Sequence, residues 1–420
     1  MKHRAFAAAL AACLLLAGCG GEPSSAPAGS DGPAALETVD DRLTYVSRSP
    51  ISIGFGAEGD AGFYYTDMSE DYSHGNIHFI DKESHQDVIL CSNPGCAHDT
   101  DACPAYLGNR RPELAWTGGK VVLFYQGMDT DETKVLPHID VMDPDETKVL
   151  PHIDVMDPDG SDRHKVCDLE ANQEYNGGVA ASGDSLYFLL TTYEANGRST
   201  ELVRLNLTSG SLVTVCKVEK TTFLMGVACG QLIVKHFGMP EGESQLSDIS
   251  EQRHILTAID PTTGAKSTVA EWKQDEGWEV IADDKLFLFS MPNDVLHLTV
   301  RDLATGEENE YDLGIEVEEP KNIVNQTYHN GTLLFDLLSG YTEEDELISK
   351  YLAFTPETQD LREIKLCDPV RGYPILIEGE LGDGVILQVP QYSGTDISSF
   401  ERDRLVYCSW EDFMNSRLPE

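Results

Sequence analysis
The stretch Asp184-SLYFLL, residues 184–190, reads as one turn residue followed by six residues dominated by leucine and aromatic side chains. Six such residues in a row suit a strand buried on both faces. Related runs recur along the chain as Gly62-FYYT, Gly119-KVVLFY, Gly230-QLIV, Asp284-KLFLF, Gly331-TLLF and Asp383-GVILQV. The turn residues are 57, 65, 46, 54, 47 and 52 positions apart. The runs align without gaps. Two residues after each turn residue stand Tyr64, Val121, Leu186, Leu232, Leu286, Leu333 and Val385.

A second marker follows in most units. Asn206-LTSG, Asp260-PTTG and Asp302-LATG each sit between two alternating apolar stretches. Asp81-KES, Asp157-PDG and Thr355-PETQ hold the same place elsewhere. An Asx residue opening a turn and a glycine near its end are what tight hairpins require. Each unit is therefore a small antiparallel meander with a buried inner strand and outer hairpins. Four-stranded units of this length, repeated four to eight times, predict an all-β protein, a β-propeller. The count gives seven blades of four antiparallel strands. Six or eight also fit, because the first and last units are the hardest to delimit. Arg404-LVYCSW leaves little chain for a fourth strand in the last unit, while Leu43-TYVSR precedes the first and reads as a strand. The expectation is that this N-terminal strand completes the last blade and covers its open edge.

The chain begins with a basic segment, Lys2-His3-Arg4, then an apolar run over 5–17 that is too short for a retained spanning helix. It ends in Leu16-Ala17-Gly18-Cys19, which resembles the lipobox of bacterial lipoproteins. The resemblance implies cleavage after residue 18, lipidation of Cys19 and an extracytoplasmic protein anchored to the cell membrane. The rival is a plain secretory signal with an incidental cysteine. Residues 19–41, rich in Gly, Pro, Ser and Ala in their first part, are expected to be a tether, and 42–415 the propeller.

Residues 131–144, DETKVLPHIDVMDP, are repeated without change at 145–158. Removing one copy brings the longest spacing into line with its neighbours. The second copy runs into the turn at Asp159-Gly160 and is expected to be the native strand, with 131–144 an insertion. Pro137 and Pro151 keep either copy from being a central strand throughout.

Of 10 cysteines, Cys91, Cys167, Cys216 and Cys367 end equivalent stretches of different units, too far apart around a ring to pair. These, with Cys229 and Cys408, read as small buried hydrophobes with free thiols. Cys91, Cys96, His98 and Cys103 form a denser group, three thiols and an imidazole in 13 residues. Such a set can bind structural Zn²⁺ tetrahedrally and hold together a loop without its own core. A Cys96–Cys103 or Cys91–Cys103 disulfide, or unpaired thiols, are the rival readings. The lipobox, the acidic repeat, the Cys-x-x-Pro-x-Cys-x-His segment, HIDVMDPDGSDRHKV and the C-terminal Trp410-EDFMNSRLPE together resemble TolB-like propeller lipoproteins, of the kind found in anaerobic gut Bacillota. That resemblance implies fold and address, and no defined activity.

With 72 Asp+Glu against 30 Lys+Arg, the net charge of −42 argues against nucleic acid as a partner. It reads instead as solubility and repulsion for a monomer held near a membrane. No Gly-x-Ser-x-Gly elbow, phosphate-cradling loop, His-Glu-x-x-His helix or sialidase-type Asp box is present. Two functions remain. One is a binding module for a protein, peptide or glycan. The other is a glycan-active enzyme, a glycosidase or lyase, with acidic residues at the central channel. Convergent carboxylates with aromatic platforms would favour the enzyme, but the only tryptophans are Trp116, Trp272, Trp278 and Trp410.

Overall fold
In the computed structural model, the described residues are 35–46, 56–69, 73–126, 150–195, 197–238, 252–273, 277–318, 321–341, 347–372 and 374–419. They form seven antiparallel sheets arranged as the blades of a ring. Blade 1 comprises Ala57–Glu58, Gly62–Met68, Gly75–Asp81 and Asp87–Ile89, with Tyr106–Gly108 on the same third strand. Blade 2 comprises Glu113–Thr117, Lys120–Tyr125, His152–Met156 and His164–Asp168. Blade 3 comprises Gln173–Ser182, Ser185–Glu194, Gly197–Asn206 and Ser211–Val218. Blade 4 comprises Thr222–Ala228, Gln231–Gly238, Arg253–Ile259 and Lys266–Lys273. Blade 5 comprises Trp278–Ala282, Lys285–Ser290, Val295–Asp302 and Glu308–Glu316. Blade 6 comprises Lys321–His329, Thr332–Tyr341, Leu347–Thr355 and Asp360–Glu363. Blade 7 has three strands, Ile377–Leu381, Gly384–Tyr392 and Phe400–Ser409.

The apolar runs are the second strand of each blade, not the innermost one. Their composition follows from seven separate cores, one at each joint between neighbouring blades. In blade 3, Leu186, Phe188 and Leu190 pack towards blade 2, while Tyr187 and Leu189 pack towards blade 4. Leu334 and its neighbours Leu333 and Phe335 divide in the same way between the joints of blade 6. Each fully buried side chain of this size contributes roughly 1.5–3 kcal/mol. The innermost strands alternate instead, as in Thr222–Ala228, because only part of each faces a joint.

The turn residues do what the sequence required. In six blades the first and second strands are joined by two-residue loops, for example Gly118-Gly119 between Thr117 and Lys120. Both of those glycines have positive φ, as a type I′ hairpin demands. The second marker caps the hairpin between third and fourth strands. Asp260 Oδ1 accepts from the N–H of Thr262 and Thr263, and Asp302 Oδ1 from Ala304 and Thr305. At Gly210, φ is 66° and a Cβ would lie 2.6 Å from the Val166 carbonyl of blade 2. The hairpin thus presses its glycine against the outer strand of the preceding blade.

The expected closure is corrected. Thr44–Tyr45 does not complete blade 7. It pairs with the first strand of blade 3, with Thr44 opposite Ala181 and Tyr45 opposite Ala180. The second strand already holds the outer side of that first strand, so Thr44–Tyr45 lies on the side facing the ring axis. Residues 36–41, expected to belong to the tether, are packed as well. Leu36 N–H donates to Leu303 O, Val39 N–H to Cys229 O, and Ser182 Oγ to Asp40 Oδ2. The segment is a strap across the tight turns of blades 5, 4 and 3. Its pull towards blade 3 comes from Leu43, 5% exposed in the joint between blades 3 and 4.

Blade 7 is completed differently. Ser409 caps the helix Trp410–Met414, its side chain accepting from Asp412 N–H, and Phe413 fills the joint with blade 6. The joint with blade 1 has the smallest core, Phe63, Tyr65, Ile80, Leu381 and Ile386. His85 stacked on Tyr407 at 3.6 Å reinforces it. The outer edge of blade 7 carries Glu401, Arg402, Asp403 and Arg404, all exposed, which guards an unpaired strand. Among the described residues no helix is long and apolar enough to cross a membrane. The second copy of the duplication supplies His152–Met156. The first copy, the signal segment, Cys19 and the start of the tether lie outside the described residues.

Candidate metal centre and loop-bearing face
The Cys/His group interrupts the fourth strand of blade 1. Asp87–Ile89 pairs with the lower part of the third strand and Tyr106–Gly108 with its upper part. Residues 91–104 leave the sheet between them and turn outward at the rim beside blade 2. Cys91 and Cys96 are half-buried and Cys103 is buried at 2% exposure, in the joint between blades 1 and 2. The sulfurs of these three and the imidazole of His98 all offer a donor atom within 4.8 Å of one another. His98 Nδ1 stands 3.3 Å from Cys103 Sγ. The four residues predicted from spacing are therefore brought together and could hold a metal ion such as Zn²⁺.

The loop is shaped for this convergence. His98 takes φ 58°, a region that non-glycine residues rarely occupy. Its backbone N–H bonds to Cys96 and lowers that thiol's pKa. Burial pushes the Cys103 thiol up to about 11. The eight described cysteines, Cys91, Cys96 and Cys103 among them, are free thiols in this structure. Cys167, Cys229 and Cys408 are buried as expected, but Cys216 is only half-buried and Cys367 is exposed, on the outward side of an alternation with the buried Leu366 and Asp368.

Blade 2 grips the same loop. Arg163 donates to Pro104 O at 3.0 Å and Tyr106 O at 2.9 Å, and to Asp154 at 3.3 Å. Its guanidinium and that of Arg110 lie 5.7 and 4.8 Å from the centre of the Tyr125 ring. Cys103, Arg110, Arg163, Lys165 and His152 line a shared cleft of about 530 Å³. No sequence motif announced it, since its residues come from three separate segments.

Antiparallel meanders return their connections alternately to the two ends. The tight hairpins and the strap share one face. The second strands end and the third strands begin at the opposite face, at Tyr125 and His152 in blade 2 and at Gly238 and Arg253 in blade 4. Among the described residues, the carboxylate constellation sought from sequence has a partial counterpart on the tight-turn face. His329 Nδ1 is 3.0 Å from Glu380 Oε2, and the His329 ring meets Trp410 at 4.6 Å. Glu58 of blade 1 accepts from Gly382 N–H at 3.4 Å. Burial, and then the Glu380 charge, raise its pKa. These residues join blades 6, 7 and 1 and were not separable in the sequence from other acidic positions. Of the remaining tryptophans, Trp116 stacks on Tyr64 and Trp272 is buried, its Nε1 donating to Gly277 O. Trp278 donates to Asn322.

No family model matches the chain, and no curated protein matches it. Solved structures do. A prolyl endopeptidase is 12% identical over 88% of this chain, with a TM-score of 0.50. The chain spans 50% of that protein's length. The β-propeller domain of the Trilobed protease from Pyrococcus furiosus is 10% identical, covering 90% of this chain and 99% of that one, with a TM-score of 0.47. An oligogalacturonate lyase in complex with manganese is 12% identical over 65% of this chain and 68% of that one, at a TM-score of 0.42. At these identities the likeness shows the propeller fold alone.

Proposed function
We propose that the chain is an extracytoplasmic propeller, tethered by lipid on Cys19, that binds a protein, peptide or glycan on its loop-bearing face. The observation that carries this reading is the unequal length of connections at the two ends of the blades. One end holds the two-residue hairpins between first and second strands of six blades and is crossed by the strap. The other is where the strands flanking 126–151 and 239–252 end, and binding surfaces on rigid scaffolds are usually built where such long connections leave. The strap at 36–41 lies on the tight-turn face, away from the ends of the second strands. The lipid is the membrane contact, the acidic surface keeps nucleic acid away, and the charged edge of blade 7 favours a monomer. A metal held by Cys91, Cys96, His98 and Cys103 would have four protein ligands and no open position, a structural set and not a catalytic one. A glycan array and a proteomic pulldown with a soluble form lacking residues 1–34 test the reading. Binding that is lost on substituting the loop face, and kept on substituting the tight-turn face, is the expected result.

A second reading, a glycan-active enzyme, is favoured only by Glu58, Glu380, His329 and Trp410. Turnover of any glycan that disappears in both Glu58→Gln and Glu380→Gln would establish it and displace the first.

A further inference from the structure
We propose that Cys91, Cys96, His98 and Cys103 hold one Zn²⁺ that closes the excursion 91–104 of blade 1 and fastens it to blade 2. The proposal is independent of what the loop face binds.

The excursion has little else to order it. Its buried apolar anchor is Cys103, and most of its remaining residues are exposed or half-buried. Burial alone does not offset the entropy of ordering such a segment, whose residues each cost roughly 1–2 kcal/mol in backbone freedom. A metal bound by donors that only the folded state brings together supplies that free energy directly. The donors are already within 4.8 Å of one another. Zinc bonds of about 2.3 Å to sulfur and 2.0 Å to nitrogen place tetrahedral donors roughly 3.5–3.8 Å apart. The His98–Cys103 separation of 3.3 Å already matches that spacing closely.

The left-handed backbone at His98 belongs to the same argument. A strained residue persists when its surroundings over-determine it, and this strain points the imidazole at the Cys103 thiol. The charge also balances. Binding releases three thiol protons to solvent, so three thiolates, a neutral imidazole and the dication make a centre of net charge −1. In a chain of charge −42, a further negative site at the rim needs local compensation. Arg110, Arg163 and Lys165 line the cleft that Cys103 shares. Arg163 further ties the loop to blade 2 through the Pro104 and Tyr106 carbonyls. The soft thiolate set selects Zn²⁺ over the oxygen-seeking Mg²⁺ and Ca²⁺.

The test uses the purified full chain, loaded with Zn²⁺ under reducing conditions and freed of excess metal. Elemental analysis should find one zinc per chain. Cobalt in its place should give the visible bands of a tetrahedral thiolate site. Cys96→Ser, which alters no core residue, and His98→Ala should lower zinc to background, while Cys367→Ser should retain it. Chelating the metal should speed amide exchange across 91–104 and at the outer strand of blade 2, leaving blades 4 and 5 unchanged. Zinc-free protein, whether disulfide-bonded or with free thiols, overturns the site, as does iron in its place or full zinc in Cys96→Ser. Bound zinc with exchange unaltered by its removal overturns the fastening role.

Discussion

The N–H of Leu90 and the C=O of Ala105 both bond to Ile77, each at 2.9 Å. In an uninterrupted antiparallel ladder one residue would present both groups to its partner. Leu90 and Ala105 share that task from the two ends of the excursion, so residues 91–104 are spliced into the fourth strand at a single register position. Deleting 91–105, so that Tyr106 follows Leu90, should therefore leave a folded β-protein with one cooperative transition. Stability should fall by roughly 2–4 kcal/mol, on the order of one buried side chain and the lost grip of Arg163. Urea denaturation followed by circular dichroism measures this. A chain that does not fold would show that the loop, and not the ladder, holds blade 1.

Glycine is required at Gly210 for two reasons and at Gly119 for one. Gly119 has φ 72° with nothing near its missing Cβ, whereas the Cβ of an alanine at 210 would meet the Val166 carbonyl. Gly119→Ala should cost about 1–2 kcal/mol, the strain of a left-handed alanine. Gly210→Ala should cost more, by an amount that reports the closeness of blades 2 and 3. Equal losses in thermal or chemical unfolding would mean that the hairpin moves away without resistance.

The blade count was legible because a strand buried in two joints must be apolar on both faces. Leu186 and Tyr187 could not both be buried in a one-sided sheet. The hairpins were legible because Asp260 and Gly264 perform local chemistry. Closure was not. Thr44 and Tyr45 read as a strand, but a two-residue strand does not name its partner, and the preference for blade 3 rests on contacts such as Leu43 with blade 4 and Asp40 with Ser182. The metal candidates Cys91, Cys96, His98 and Cys103 were visible from spacing. The Arg110, Tyr125 and Arg163 cleft was not, because it is assembled across blades.

The strap makes a specific claim about where the N-terminal segment acts. A chain beginning at residue 47 should unfold at lower temperature. Hydrogen exchange should rise at the turns of blades 3, 4 and 5, which bond Asp40, Val39 and Leu36, and in the first strand of blade 3 beside Val46, and stay unchanged between blades 7 and 1. Ser182→Ala, which removes the anchor of Asp40, should reproduce part of the loss, about 1 kcal/mol. Enhanced exchange confined to the joint of blades 7 and 1 would restore the closure expected from sequence.

His254 should make stability depend on pH. The ring is 9% exposed, lies 5.0 Å from Phe237 and 5.5 Å from Trp272, and neither ring nitrogen has a hydrogen-bond partner among the described residues. Burial first, and then the nearby charge of Lys235, lower its pKa to about 4. Lys235 is itself paired with the buried Glu279, whose charge therefore partly offsets the repulsion. The unfolded chain binds a proton at His254 near pH 6.5, where the folded chain does not. Between those values the unfolded state holds more protons, so stability falls as the solution is acidified from about pH 7 towards pH 4. His254→Phe keeps the aromatic packing and removes the titration. Its urea midpoint should therefore drop less than that of the parent chain between about pH 7 and pH 5. The carboxylates common to both proteins cancel in that difference. Parallel pH profiles would mean that the buried imidazole is protonated in the folded state.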